Sequence, residues 1–370
     1  MSDKVKPVKL LIFIHDLAPF GAQRVALNTV KHLDKQKIIV AVCSFGGDDS
    51  LAAEFRGHGA EVTLLGARRY LDPAAWRRLF SLILGSRPDI IQTNLPELSL
   101  PVRLLALFLP GTRIIHTVQN PFSSEPWYWR ILNKGTLFLC ARVVFCSDSM
   151  LAGVGRGAAK FIAVQNGMEI EPSPPGDGLR MELRIGRAEK VICCIARLAR
   201  QKGQDVLIRA IALLAGQKRN VRLLLAGDGE DSESLRLQAQ ELGVADKVYL
   251  LGRRSDTSAL LAASDIYAAP SRWEGLGLSL GEAMLAGLPC VGTAISGHAD
   301  ILKDGVTGVA VPPEDASALA AGISRLLDDT VEAGRLAAAA RDLIKAGFTV
   351  EVMAKKYEKV YLDLAGEARE

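Results

Sequence analysis

Short runs of apolar and β-branched residues alternate with stretches of helical period along the chain. LLIFI (10–14), IIVAVCSF (38–45), EVTLL (61–65), DIIQTN (89–94), RIIHTV (113–118) and RVVFCS (142–147) read as strands, with helices predicted over 23–33, 51–58, 76–86, 98–108 and 127–140. Continuous apolar strands separated by helices predict a parallel sheet covered on both faces. Right-handed βαβ connections make such a sheet doubly wound. The segment MEIEPSPPGDG (168–178) breaks the alternation, because three prolines and two glycines in eleven residues continue neither element. The pattern then restarts with KVICCIA (190–196), VRLLLAG (221–227), KVYLLG (247–252), IYAAP (266–270), LPCVGT (288–293) and GVAV (308–311). Helices are predicted over 203–216, 232–242, from 277 onward, and over 315–328, 331–346 and 350–365. The expected organisation is an α/β domain over 1–168, a linker over 169–187 and a second α/β domain over 188–346. The terminal helix, 349–370, is expected to pack back on the first domain. Ligands of such folds bind at the carboxyl ends of strands, here expected in a cleft between the two domains.

Composition narrows the classes. The 370 residues suit two domains at ~150 residues each, and 49% apolar content with a net charge of +4 excludes a disordered chain. Mean hydropathy is +0.18, yet no apolar run reaches the ~20 residues of a spanning helix; 98–109 is interrupted by Pro101 and Arg103. The start MSDKVKPVKLLIFIHDL reads as a strand and not as a signal peptide, so a cytoplasmic protein is expected. Cys43, Cys140, Cys146, Cys193, Cys194 and Cys290 all sit in apolar runs, as reduced core cysteines do. The histidines form no metal-binding pair, and no metal is expected. Asp48-Asp49 and Asp328-Asp329 read as turn and helix-end acids. Residues 1–170 carry +7 and residues 171–370 carry −3, which suits an anionic acceptor or membrane surface for the first half. No basic stripe with interleaved aromatics points to nucleic acid.

The candidate chemistry lies in the second half. Glu274-Gly275-Leu276-Gly277-Leu278 follows the strand IYAAP, and Glu282 follows on the helix that starts near Gly277. The glycines allow a tight turn, and the helix N-terminus suits a phosphate. Helix side chains lean toward the N-terminus, which lets Glu282 reach a ligand there. Glu282 suits a pair of ribose hydroxyls and Glu274 the hydroxyls of a bound sugar. Arg197 and Lys202, in ARLARQKG after the strand KVICCIA, stand before another helix start. Two cations beside a helix N-terminus make a diphosphate site without a metal. No GxGxxG or Walker A loop is present.

These motifs resemble those of the retaining GT-B glycosyltransferases that carry the glycogen-synthase-like Glu-x7-Glu signature (glycosyltransferase family 4, group 1). The resemblance runs through Arg197 to Gly203, Gly227-Asp228-Gly229, Ala268-Pro270-Ser271, Glu274-x7-Glu282 and Gly287-Leu288-Pro289. In the first half it rests on Gly21-Ala22-Gln23-Arg24-Val25 and Asn166-Gly167-Met168. It implies a GT-B fold of two doubly wound Rossmann-like domains with parallel sheets facing a central cleft. It also implies that Arg197 and Lys202 hold the donor diphosphate, Glu282 the ribose and Glu274 the transferred sugar. Gly21 would offer a backbone N–H to the phosphates, and Ser296, Gly297 and His298 would line the donor, with Gly275, Leu276, Gly277 and Leu278 around it. Three kinds of departure from the family pattern occur. Phe20-Gly21 and Ser296-Gly297 replace double glycines, Asp300 replaces a glutamate, and Gln119 stands where many members keep a histidine that helps place the transferred sugar. A glutamine can hydrogen-bond a hydroxyl but cannot shuttle protons.

On the acceptor side, Asp16, His116 and Gln119 are the candidates, with His116 also readable as a core histidine at a strand end. The stretch 98–109, Trp127-Tyr128-Trp129-Arg130 and the pairs Arg68-Arg69 and Arg77-Arg78 can be read as buried helix with acceptor-site aromatics, or as a peripheral contact with an anionic membrane. The expectation is a retaining, metal-independent transfer of a sugar from a nucleoside-diphosphate donor to a glycan or lipid-linked acceptor. It would serve surface polysaccharide or glycolipid synthesis in the cytoplasm or at the inner face of the membrane, with no cofactor. A sugar-nucleotide epimerase and a non-catalytic nucleotide-sugar-binding subunit are the alternatives.

Overall fold

The computed structural model describes residues 6–154, 159–172 and 176–367. It divides into two compact units, Met1–Gly167 with Val350–Glu370, and Met168–Thr349. Unit 1 carries strands β1 (Val8–Ile14), β2 (Ile38–Ser44), β3 (Glu61–Leu64), β4 (Ile90–Thr93), β5 (Arg113–Val118), β6 (Arg142–Phe145) and β7 (Phe161–Ala163). Between them run α1 (Gly21–His32), α2 (Ala52–Gly57), α3 (Pro73–Ser86), α4 (Pro96–Ala106), α5 (Trp127–Thr136) and α6 (Asp148–Val154). All pairings are parallel, in the order β3-β2-β1-β4-β5-β6-β7. Apolar side chains of α3, α4 and the 3-10 turn Leu137–Leu139 cover one face of this sheet.

Unit 2 begins with α7 (Asp177–Glu182) and continues β8 (Lys190–Ile195), α8 (Gln204–Gly216), β9 (Val221–Ala226), α9 (Ser232–Glu241), β10 (Val248–Leu250) and α10 (Thr257–Ala262). It ends with β11 (Ile266–Ala269), α11 (Leu278–Ala286), β12 (Cys290–Thr293), β13 (Val309–Val311), α12 (Ala316–Asp328) and α13 (Thr330–Gly347). Its parallel sheet has the order β10-β9-β8-β11-β12-β13. Side chains alternate across β8: Ile192 and Cys194 enter the core under α8 and α12, whereas Val191 and Cys193 enter the opposite core with α11 and α13. A strand buried on both faces has no polar position to spare, which is why KVICCI reads as a continuous apolar run. The last helix, α14 (Val350–Glu367), returns to unit 1 and packs on α1, β1 and β4.

Local signals set several helix starts. Asp72 accepts hydrogen bonds from Ala74 and Ala75 N–H at 3.0 and 3.1 Å, ahead of Pro73 at the first helical position of α3. Asp315 and Asp329 cap α12 and α13 in the same way.

Part of the expected linker, 169–187, is structured. Residues 173–175 of its proline-rich run, like residues 1–5, lie outside the described residues, but α7 follows at once. Leu179 and Ile185 are buried with the core of unit 2, so this part of the segment belongs to that unit and is no bare connector. The short elements α6, β7 and α10 are also additions to the sequence reading. The six cysteines are all buried and unpaired to one another.

Candidate active site

In unit 2 the chain builds β8, β9 and β10 outward and then returns to lay β11 on the other side of β8. Loops leaving β8 and β11 therefore diverge at their carboxyl ends, which is where doubly wound sheets bind ligands. The loop after β8 carries Arg197 and runs into the 3-10 turn Arg200–Lys202 before α8. The loop after β11 carries Ser271, Glu274, Gly275 and Leu276 and ends at Gly277, the N-cap of α11. Gly203 joins the two loops: its φ is +66°, and a Cβ there would stand 2.1 Å from the Pro270 carbonyl oxygen. Only glycine combines that backbone conformation with that approach.

The close contact brings two residues 72 positions apart together. Lys202 Nζ donates to Glu274 Oε1 at 2.5 Å, and Ser271 Oγ donates to the same oxygen at 2.8 Å. Glu274 is buried and Lys202 is mostly so, which strengthens the pair relative to an exposed one. The support continues inward. Thr293 Oγ1 donates to the Ser271 carbonyl at 2.5 Å, and His298 Nδ1 donates to the Thr293 carbonyl at 2.9 Å. Burial holds His298 below its ordinary pKa, against the pull of Glu274 and Thr293. The ring is thus neutral near pH 7, with Nδ1 protonated and Nε2 an acceptor beside Gly277.

The 3-10 turn Ser296–His298 closes this side. Gly297 lies against Glu274, where a Cβ would stand 2.2 Å from the Glu274 carbonyl oxygen. Leu278 is the first residue of α11, and Glu282 lies one turn on, close enough for its charge to help raise the Tyr267 phenol, which burial raises most. Arg197 is half-exposed, and Glu230, at 4.0 Å, is its ion-pair partner among the described residues. Arg197, Lys202, Glu274, Gly277, Gly297 and His298 therefore belong to one set of loops at one sheet edge.

Several supporting residues escaped the sequence reading. Arg272 places its guanidinium fork on Asp205 at 2.8 and 2.9 Å, donates to the Arg200 carbonyl and pairs with Glu314. Burial would raise the Asp205 carboxyl, but the Arg272 bonds hold it below its usual range. Gln201 Nε2 donates to the Trp273 carbonyl at 3.0 Å. Thr293 is a third, and Ser271, read in the sequence only as part of the Ala268-Pro270-Ser271 motif, bonds Glu274 directly. A serine or threonine at a strand end carries no distinctive spacing, so only the fold discloses them.

Unit 1 has its own reversal between β1 and β4. Asp16 follows β1 and accepts from Gln23 Nε2 at 2.7 Å. His15 lies 3.7 Å from Asp16 and stacks on Tyr70 at 5.2 Å between ring centroids. Gly21 is the first residue of α1, a position whose N–H has no partner within the helix. Asn94, just beyond β4, is buried with Oδ1 unpartnered; the sequence reading passed it over. Gln119 Oε1 accepts from Asn166 Nδ2 at 3.0 Å. His116 sits in the core, 1% exposed, with Nδ1 2.8 Å from Ser99 Oγ. Burial, aided by the Arg103 charge, drives its pKa well down. This corrects the acceptor-side reading of His116: a neutral ring closed off by its own sheet layer touches no acceptor.

Residues 20–171 match the family described as Glycosyltransferase Family 4, and residues 179–343 match Glycosyl transferases group 1. Together the two matches span most of the chain. The chain is 30% identical to the N-acetyl-alpha-D-glucosaminyl L-malate synthase of Bacillus anthracis over 186 residues, 50% of this chain and 49% of that protein. It therefore spans about half the length of that relative. It is 24% identical over 369 residues to the Escherichia coli UDP-Gal:alpha-D-GlcNAc-diphosphoundecaprenol alpha-1,3-galactosyltransferase, covering 93% of this chain and 94% of that one. The fold matches the crystal structure of Anabaena Alr3699/HepE in complex with UDP-glucose, with a TM-score of 0.82 and 24% identity over 96% of this chain and 99% of that one.

Proposed function

Because the chain belongs to the glycosyltransferases of family 4, group 1, and has their GT-B fold class, we propose that it transfers a sugar, with retention, from a nucleoside-diphosphate donor to a hydroxyl of a glycan or lipid-linked acceptor. The observation that carries this reading is the Lys202–Glu274–Ser271 constellation, with Arg197 on the loop that leads to Lys202, at the strand reversal of unit 2. Arg197 and Lys202 take the donor diphosphate, and the N-terminus of α11 adds its partial positive charge. Glu282 takes the ribose, and Glu274, fixed by Lys202 and Ser271, takes hydroxyls of the transferred sugar. His298 Nε2 accepts from a further hydroxyl.

Glu274 is held by a cation and a hydroxyl on one oxygen, which suits binding better than nucleophilic attack. The proposed chemistry is front-face displacement. The acceptor oxygen forms the new bond to the anomeric carbon as the bond to the diphosphate oxygen breaks. The acceptor's proton passes to the departing diphosphate, whose charge Arg197 and Lys202 stabilise in place of a metal. Asp16, Gln119 and the unit 1 loops serve the acceptor. Relatives named for a diphosphoundecaprenol acceptor and for lipopolysaccharide core biosynthesis support work in surface polysaccharide or glycolipid assembly.

Thermal-shift measurements with UDP, GDP and ADP, then with their sugars, test the donor site in EDTA and in magnesium. Stabilisation by one nucleotide diphosphate that is independent of magnesium is expected. NMR of the product should show the donor's anomeric configuration preserved. Isomerisation of the donor without acceptor would make the protein an epimerase, and binding with neither transfer nor hydrolysis would make it a non-catalytic subunit.

A further inference from the structure

Unit 1 exposes a group of large apolar side chains that its own core does not use. On α5, just beyond α4 and in the turn after α5, Phe108 is 79% exposed, Phe138 72%, Trp127 67%, and Leu107 and Ile131 above 60%. Arg103 ties together the two helices that carry or precede them. This side chain is fully buried, and its guanidinium donates to the Asn133 carbonyl, Asn133 Oδ1 and Thr136 Oγ1 at 2.9 to 3.1 Å. It thereby draws the C-terminal end of α4, with Leu107 and Phe108 just beyond it, against that of α5 and the turn that carries Phe138; Trp127 and Ile131, four residues apart, form one stripe toward the N-terminus of α5.

The charges around these residues are mostly positive. Between residues 66 and 147 there are ten Lys and Arg against four Asp and Glu. Three of the four acids are occupied internally: Asp72 caps α3, Asp89 takes the Lys9 N–H, and Glu125 accepts from Asn133. Glu97 stands in the first turn of α4. Of the cations, Arg103 is buried and Arg142 pairs with Glu367. Arg130 and Lys134 lie on α5 between the exposed aromatic and aliphatic residues, Lys134 reaching over the Phe122 ring at 5.4 Å. Arg68, Arg69 and Arg77 are exposed on the segment leading into α3 and on α3 itself.

We propose that the α4–α5 face of unit 1 docks on an anionic lipid surface, with Trp127, Phe138, Leu107 and Phe108 in the interfacial layer and Arg130 and Lys134 at the headgroups. Aromatic residues beside basic ones, on a helix too short and too polar to span, are the combination that lies in the plane of a bilayer interface. Among the described residues no helix is long and apolar enough to cross a membrane. A second copy of the chain is the poorer occupant: a two-fold interface sets the same patch against itself, and cations would then meet cations with few acids to pair them. The docking face extends the proposed use of a lipid-linked acceptor, but it is recognised by a bilayer and not by a sugar, so it stands or falls without turnover.

The test is co-flotation of the full chain with vesicles of phosphatidylcholine alone and of phosphatidylcholine with phosphatidylglycerol. Flotation with the anionic vesicles, weakened by salt and nearly lost with the neutral ones, is expected. A cation near such a surface contributes about a factor of five in partitioning, so Arg130→Gln with Lys134→Gln should weaken it about thirtyfold. Trp127→Ser with Phe138→Ser should weaken it at least about tenfold. Both double variants should keep the thermal unfolding midpoint and the affinity for nucleoside diphosphate of the parent. No flotation with either vesicle overturns the proposal. So does a dimer in sedimentation that the Trp127 and Phe138 changes dissociate, which would make the face a contact between copies. Loss of transfer to a water-soluble acceptor with flotation intact would instead assign these aromatics to the acceptor site, and also overturns it.

Discussion

At the scale of single residues, Lys202 and Glu274 form a charged pair that is structural and, in the proposed transfer, would also be chemical. Their contact at 2.5 Å fixes the loop after β11 to the loop after β8, and a diphosphate arriving beside Lys202 would compete with Glu274 for the same ammonium. Arg197, half-exposed and only loosely engaged by Glu230, has no such prior commitment. Removing one preorganised donor to developing charge costs about 10²–10³ in rate, so Arg197→Ala and Lys202→Ala should each lower turnover by that order. Lys202→Ala should also lower stability, because it strands a buried carboxylate; Arg197→Ala should not. Steady-state kinetics beside thermal unfolding separate the two effects, and turnover within threefold of the parent would remove either residue from the mechanism. Glu282→Ala should weaken nucleotide binding about tenfold to a hundredfold, a hydrogen bond to a charged group being worth roughly 1.5–3 kcal/mol. Calorimetric titration with the preferred nucleotide reads this directly. The histidines make a separate prediction. His116 and His298 are both held below their ordinary pKa by burial, so the unfolded chain takes up protons before the native one does. Stability is complete above about pH 6.5 and falls as the pH drops, by up to about 1.4 kcal/mol per pH unit for each ring, until the native pKa is passed. Urea unfolding between about pH 7.5 and 5.5 should show this slope, and His116→Asn should lower it to about the share of His298 alone. An unfolding free energy constant over that range would contradict it.

At the scale of elements, the glycines hold the loops of the site in register. Gly297 rests on the Glu274 backbone, with 2.2 Å between a would-be Cβ and the carbonyl oxygen, and a backbone atom cannot rotate aside as a flexible side chain could. Gly297→Ala should therefore cost roughly 1–3 kcal/mol by overpacking and displace Glu274, lowering turnover more than stability alone explains. Gly47→Ala, with nothing within 4 Å, is the matching control and should change neither. Asp72→Ala removes the α3 cap at a cost of about 1 kcal/mol and should leave turnover untouched. The long elements were legible because their apolar runs are buried on both faces, as in β8, or have a strong terminal signal, as in α3. The elements missed, α6, β7, α7 and α10, span three to seven residues. In so short a segment, periodicity is indistinct and tertiary packing decides the conformation.

At the scale of the whole molecule, chain order and unit membership part company. The chain leaves unit 1 at Gly167 and comes back at Val350. On its return Tyr361 donates to Gln92 Oε1 at 2.5 Å, and Met353 Sδ accepts from the Gly167 N–H at 3.1 Å. Removing 350–370 should uncover the α1, β1 and β4 surface of unit 1 while leaving both cores of unit 2 whole. Scanning calorimetry should then show the unit 1 transition lowered or lost and a second transition retained; parallel loss of both would mean the units do not melt separately. The uneven charge, +7 over residues 1–170 and −3 over the remainder, acts at this scale too, by biasing the first unit toward anionic partners.

The sequence by itself determined the two parallel sheets, the strand ends that carry Arg197, Lys202 and Glu274, and the family of the chain, because buried strands and tight glycine turns tolerate few residue types. Tertiary structure alone decided that Lys202 meets Glu274, that Arg272, Ser271 and Thr293 support the pair, and that His116 is sealed in the core. These depend on loops remote in sequence meeting at one sheet edge, and a side chain's spacing along the chain does not record which distant partner the fold brings to it.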